Sequence, residues 1–238
     1  MNYSIAGVEM KEFRDINSGK EVFYNFLSRS YKKEVDEDFL VMLVSLMPYI
    51  ESIASQSDID SMDKGVRLIR GVANRLAELD AKGKEDLLLD LARDFCSLFL
   101  IGVKSVPNSE SVYLSPEHIV KQEPRDMALK IYRETGFDVS KEFNEPEDHI
   151  ALELEFMARL SQLVCESIDR EDDDSLSKYL NYQKQFMEEH LNKWIPQFVS
   201  FLLKSTDDRD FYKAIAYLTK GFIEMDYRFI KEAVINAG

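Results

Sequence analysis

A helix that is apolar almost all the way round constrains this chain more than any other feature. From Ile150 to Ile168, a wheel of roughly 100° per residue puts Ile150, Leu154, Met157, Val164 and Ile168 on one stripe. Leu152, Phe156, Leu160 and Leu163 make the adjacent stripe, and only Glu155, Arg159, Gln162 and Glu166 form a narrow polar strip. Such a helix is buried over most of its circumference. It opens on Glu145-Pro146-Glu147-Asp148-His149. Asp148 falls at the first turn near the polar strip, where a carboxylate suits the free N–H groups and the positive end of the dipole. His149 and Glu153, four residues apart, point into the apolar face, where a glutamate is costly unless paired. The spacing predicts a buried polar pair of His149 with Glu153, or another polar partner for each. The functional alternative is a polar spot that receives a ligand or peptide.

The same helical period runs through nearly the whole chain. Val22, Phe23, Phe26 and Leu27 share one face of an early helix. Asp36 or Glu37 opens an apolar helix through Ile53, and a third helix follows Asp58 past Leu79. The run "GKEDLLLDLARDFCSLFL" predicts a fourth, mostly apolar and central. Between Val103 and Pro124 the period fails and three prolines intervene, which reads as an ordered loop or linker. A short helix then stops at Gly136, and a second break, "FDVSKEFNEPED", precedes the helix of the opening. Further on, Asp174 is placed to cap a helix that is interrupted near Pro196. The last long helix starts within "TDDRDFYKAIAYL", with Thr or Asp in the cap position. Only 9 Gly and 6 Pro in 238 residues fit this reading. The fold class is all-α: a single helical domain of about ten helices in two lobes joined by a linker. The N-terminal lobe spans about 1–102, the linker about 103–148 and the C-terminal lobe about 149–238.

Charge and motifs exclude several functions. A net charge of −14 opposes nucleic acid, whose phosphates need a basic footprint. The two cysteines, Cys96 and Cys165, lie in apolar helical runs without zinc spacing and read as free thiols in a reducing compartment. The N-terminus has no basic and apolar leader pattern. The longest apolar run, Phe39–Met47, is half the length of a membrane span, so a soluble cytoplasmic protein without stable membrane insertion is expected. No Gly-rich phosphate loop, HExxH, GxSxG or paired CxxC occurs, and histidines 118, 149 and 190 lack the spacing of a metal site. An enzyme using His149 as base is disfavoured, because Asp148 and His149 diverge by about 100° on a helix. No catalytic residue, metal or cofactor is assigned. His190 shares a face with Phe186, Met187 and Trp194 and reads as a satisfied core histidine; Trp194 reads as packing. Tyr113 and Ser115 either cap a helix near Pro116 or line a cleft.

In order and spacing, "SVYLSPEH" (Ser111–His118), "EPEDHIALELEFMARL" (Glu145–Leu160) and "FMEEHLNKWIPQF" (Phe186–Phe198) together resemble the TorD/DmsD family of cytoplasmic chaperones for molybdenum-containing oxidoreductases of anaerobic respiration. The resemblance covers roughly Val112 to Phe198; the N-terminal half fits in character only. It implies a non-enzymatic protein that binds the apo-form of a molybdopterin oxidoreductase, often through its twin-arginine signal peptide. Such a protein shields its client until the cofactor is inserted and holds back premature export. A twin-arginine leader joins a basic segment to an apolar one, so its receptor needs carboxylates beside a hydrophobic groove. The residues this assigns to peptide binding are Glu145, Pro146, Asp148, His149, Tyr113 and Ser115, with Glu147 beside them. Two alternatives are a nitrate-reductase-type assembly chaperone that binds another client segment, and a helical scaffold without a groove. The long linker makes both a monomer and a domain-swapped homodimer feasible.

Overall fold

The computed structural model describes residues 4–5, 7–102, 105–140, 143–207 and 209–237. Val103, where the expected linker begins, Glu142 in the second break and Asp208 beside the last cap lie outside them. The architecture is all-α, as expected. A two-residue hairpin, β1 (Ser4–Ile5) against β2 (Val8–Glu9), precedes α1 (Met10–Lys32), α2 (Glu37–Ser55), α3 (Asp60–Glu78) and α4 (Ala81–Phe95). A π-helical turn (Cys96–Leu100) ends that run. Then come α5 (Glu110–Leu114), α6 (Glu123–Thr135), α7 (Ile150–Asp169) and α8 (Asp173–Phe186). A second π-helical turn (Met187–Leu191) leads to α9 (Asn192–Ser205), and α10 (Asp210–Ala237) closes the chain.

Two compact units emerge, and they interleave in sequence. Unit 1 holds residues 1–28, 109–194 and 223–238; unit 2 holds 29–108 and 195–222. The sequence reading drew consecutive lobes, because breaks in periodicity mark where helices stop and not which helices pack together. Within the stretch drawn as a linker, α5 and α6 belong to unit 1.

Unit 1 is built around α7. Ile150, Leu154, Phe156, Met157, Leu160 and Val164 are all wholly buried, as the two stripes require. Tyr132 of α6 and Phe186 of α8 meet Phe156 with ring centroids 4.7 and 4.8 Å apart. A buried polar group sits within this core. Lys20 Nζ lies 2.8 Å from Asp226 Oδ1, an ion pair whose side chains are 4% and 1% exposed. Tyr24 donates to the other carboxylate oxygen at 2.6 Å. Unit 2 packs α2 against α3, and α3 against α10 closely enough that a Cβ on Gly221 would lie 2.6 Å from the Met62 nitrogen. By length and composition α2 is apolar enough to cross a membrane. Here its Phe39, Leu43 and Ile50 are buried, while Val41 and Val44 face outward.

Local signals explain where elements begin and end. Asp36 caps α2 by accepting the Phe39 N–H at 3.0 Å. Gly136 ends α6 with φ at +69°, the left-handed conformation that glycine adopts without penalty. Other expectations shift. Asp172, not Asp174, caps α8, accepting from Ser175 N–H at 3.0 Å. Of α4 only Leu91 and Phe95 are buried, and Leu89 is half exposed, so this helix is not central. The interruption after α8 is the π-helical turn at Met187, not Pro196. Pro196 lies inside α9, the fifth residue of that helix.

Candidate functional site

Two sequence motifs meet in unit 1 as a short antiparallel junction. Ser109 and His149 form an isolated β-bridge, and the Glu110 N–H donates to the Asp148 carbonyl at 2.9 Å. The Asp148 carboxylate, with no exposed surface, accepts the Ser111 N–H at 2.7 Å. Ser109, which precedes α5, makes no side-chain cap of its own. Asp148 therefore caps α5 from across the junction, holding two N–H groups that a helix start leaves free. It does not cap α7, as its place in the sequence suggested. That role falls to His149, whose Nδ1 accepts the Ala151 N–H at 3.0 Å. Accepting at Nδ1 fixes the neutral ring with its proton on Nε2.

Glu153, wholly buried, accepts the indole N–H of Trp194 at 2.8 Å. His149 and Glu153 thus each have a polar partner, and Trp194 is one the sequence did not suggest. Beside them Glu110 Oε2 and His190 Nδ1 are 2.7 Å apart, with side chains 1% and 0% exposed. Burial first, and then the charge of Glu110, push the Glu153 carboxyl well above the ordinary carboxylate range, while the Trp194 bond acts the other way. His190 is partnered, as read, but through a glutamate 80 residues away. The π-helical turn that carries it is the local signal that sequence periodicity missed, and such turns gather at functional sites.

Above this buried cluster lies a groove of about 660 Å³ with Glu110 and His190 in its wall. Leu114, Pro116 and Met127 give it an apolar side, Glu117, Glu123 and Glu189 give it carboxylates, and Lys193 also lines it. The loop between α5 and α6 holds His118 and Lys121 at φ of 53° and 62°. Non-glycine residues rarely adopt that strained region, and it concentrates near functional surfaces. Ser115 lines the groove and donates to the Ser111 carbonyl at 2.6 Å. Tyr113 packs on Trp194 at 5.4 Å between ring centroids instead of lining it. Glu145 is exposed and Pro146 buried, both outside the lining. Glu147 is taken by Arg125, which holds its carboxyl below the ordinary range. In unit 2 a more apolar groove of about 680 Å³ runs along Leu40, Val41, Val44 and Leu88.

The fold and this groove define an all-helical protein with a mixed acidic and apolar cleft. The chain belongs to the family described as nitrate reductase delta subunit, whose pattern matches residues 59–200. Its relatives include a protein named chaperone protein TorD from Photobacterium profundum, 29% identical over 93% of this chain and 98% of that protein. Proteins of the same name from Vibrio cholerae serotype O1 and Aliivibrio salmonicida are 29% and 26% identical, covering 94% and 93% of this chain and 98% and 99% of their own.

Proposed function

We propose that this protein is a cytoplasmic, non-enzymatic chaperone for a molybdopterin oxidoreductase. It binds the apo-enzyme through the twin-arginine signal peptide and shields it until cofactor insertion and export. The groove of unit 1 carries the reading: three carboxylates, Glu117, Glu123 and Glu189, stand beside Leu114, Pro116 and Met127. That combination suits a segment in which arginines adjoin an apolar run. Ser115 contacts the peptide directly, and exposed Glu145 adds acidic charge at long range. Tyr113, Pro146, Asp148 and His149 act from beneath, by holding α5 and the start of α7. Family membership and the relatives named chaperones support the coarse role.

Titration of a synthetic leader into wild type and into Glu117→Gln/Glu123→Gln/Glu189→Gln tests the reading. Exposed charge contacts are screened over about 8 Å near physiological ionic strength, so wild-type affinity should fall with salt and the triple variant should bind weakly at any salt. Equal affinity and equal salt dependence in both proteins would remove the groove from the account. The family description favours a second reading, in which a segment other than the leader is recognised, as for a nitrate-reductase-type assembly chaperone. Binding of a leaderless client, with none to the free leader, would select it.

A further inference from the structure

We propose that Glu110 and Glu153 hold one proton between them in the free protein, and that a cationic peptide seated in the groove of unit 1 displaces it. Client capture is then coupled to proton release, a property that rests on the reading of this groove as the seat of the leader's arginines. Behind it stands a set of buried carboxyls without cations. Glu110, Asp148 and Glu153 are wholly buried. Glu153 faces Glu110 of α5, Asp148 at the start of α7, Tyr132 of α6 and His190 of the second π-helical turn, with the Trp194 indole against its Oε2. Lys20 of α1, Arg125 of α6 and Lys184 of α8 are paired elsewhere, with Asp226, Glu147 and Glu188. Among the described residues no Lys or Arg forms an ion pair with any of the three carboxyls.

Hydrogen bonding selects the pair that shares the proton. Glu110 Oε2 lies 2.7 Å from His190 Nδ1, and Glu153 Oε2 accepts from Trp194 at 2.8 Å. Asp148 is engaged with the Ser111 N–H and adds to the negative charge around them. A proton on Glu153 hydrogen-bonds it to Glu110 and leaves one charge where there would be two. Buried carboxyls without cations are neutralised in this way, and two so closely coupled take up protons as a pair. Glu110 joins the pair to the groove, whose wall it forms with His190. A guanidinium against that wall supplies the positive charge that the proton supplied. The Glu153 O–H bond then breaks, its proton passes to the buffer, and two carboxylates face one bound cation. The cation lowers the pair's hold on the proton, so the bound protein loses it at lower pH than the free protein does. Affinity for the peptide is lowest below the bound value, climbs by at most about tenfold per pH unit for one proton, and is level above the free value. Burial and Glu110 hold the Glu153 carboxyl well above the ordinary carboxylate range, so the level region also begins well above that range.

A synthetic twin-arginine leader is titrated calorimetrically into wild type in two buffers of unlike ionisation enthalpy, at matched pH from mildly acidic to mildly alkaline. Trp194 is the only tryptophan and bonds Glu153, so its emission is followed against pH with and without the leader. The heats should differ between buffers by about one proton released, and the emission transition should move to lower pH when the leader is bound. Glu153→Gln keeps an acceptor for Trp194 and a donor for Glu110; it should bind the leader with equal heats in both buffers and a flatter pH dependence. Saturable binding to wild type with equal heats overturns this inference and leaves the leader reading standing. Proton release undiminished in Glu153→Gln overturns it as well, and no saturable binding at any pH overturns both. Should Glu153→Gln fail to fold by circular dichroism, infrared difference spectra of wild type decide. Loss of a protonated-carboxyl C=O band on leader binding sustains the proposal, and an unchanged band refutes it.

Discussion

Removing the Asp148 carboxylate separates a structural cap from a charged binding contact. Its oxygen accepts the Ser111 N–H at 2.7 Å in a fully buried place, while its carbonyl bond to Glu110 N–H survives any side-chain change. Asp148→Ala strips a charged acceptor from a buried donor, which costs about 1.5–3 kcal/mol. For a chain of this size that corresponds to a fall in melting temperature of roughly 3–12 °C. Asp148→Asn keeps an acceptor oxygen for Ser111. Its new amide N–H₂ replaces Oδ1, which has no partner in the chain, but one negative charge is also removed beside Glu153. The two effects oppose each other, leaving a cost of about 1 kcal/mol or less. Thermal melts by circular dichroism and leader titrations at low and high salt provide the assay. The alanine variant should melt early and bind weakly, because α5 carries one wall of the groove. The asparagine variant should bind almost as wild type does, with the wild-type salt dependence. If Asp148→Asn abolished the salt dependence, Asp148 would be a solvent-facing contact and the burial argument would fail. Equal destabilisation by both variants would refute the cap.

Lys20→Met should destabilise by about 3–5 kcal/mol by stranding buried Asp226, and Lys20→Met/Asp226→Leu by much less, since the double change leaves no lone charge. Urea denaturation checks this; a cost under about 1 kcal/mol for the single variant would show that the pair is open to water. Glu153→Ala should cost about 1–3 kcal/mol and shift Trp194 emission, because the indole N–H loses its acceptor. Unchanged emission would mean that the bond does not exist in solution. At Asp36, the hydrogen bond from Lys33 leads several effects that lower the carboxyl from 3.8 to about 2. Its folded value is the lower one, so its stabilisation is present above pH 3.8 and is lost as pH falls through about 2. Asp36→Asn should flatten the acid limb of the stability curve in that window; parallel curves for the two proteins would contradict it.

Sequence by itself determined most of the long helices and the buried face of α7. The period along Ile150–Ile168 made α7 a core helix, and its burial follows that period except at Ile168, which is only partly buried. Gly136 stopped α6 and Asp36 opened α2 through chemistry confined to a few neighbouring residues. His149 and Glu153 were legible as buried for the same reason, since the 3.6-residue period records which face is apolar. Only the tertiary structure decided which polar groups meet. Asp148 reaches Ser111 across 37 residues, Glu153 meets Trp194 across 41, and Glu110 meets His190 across 80. The groove depends equally on packing, because its carboxylates come from the loop after α5, from α6 and from the π-helical turn. Periodicity cannot contain those pairings. A buried polar atom is stabilised by whatever partner comes within about 3 Å, and that partner is set by how helices pack, not by their order along the chain.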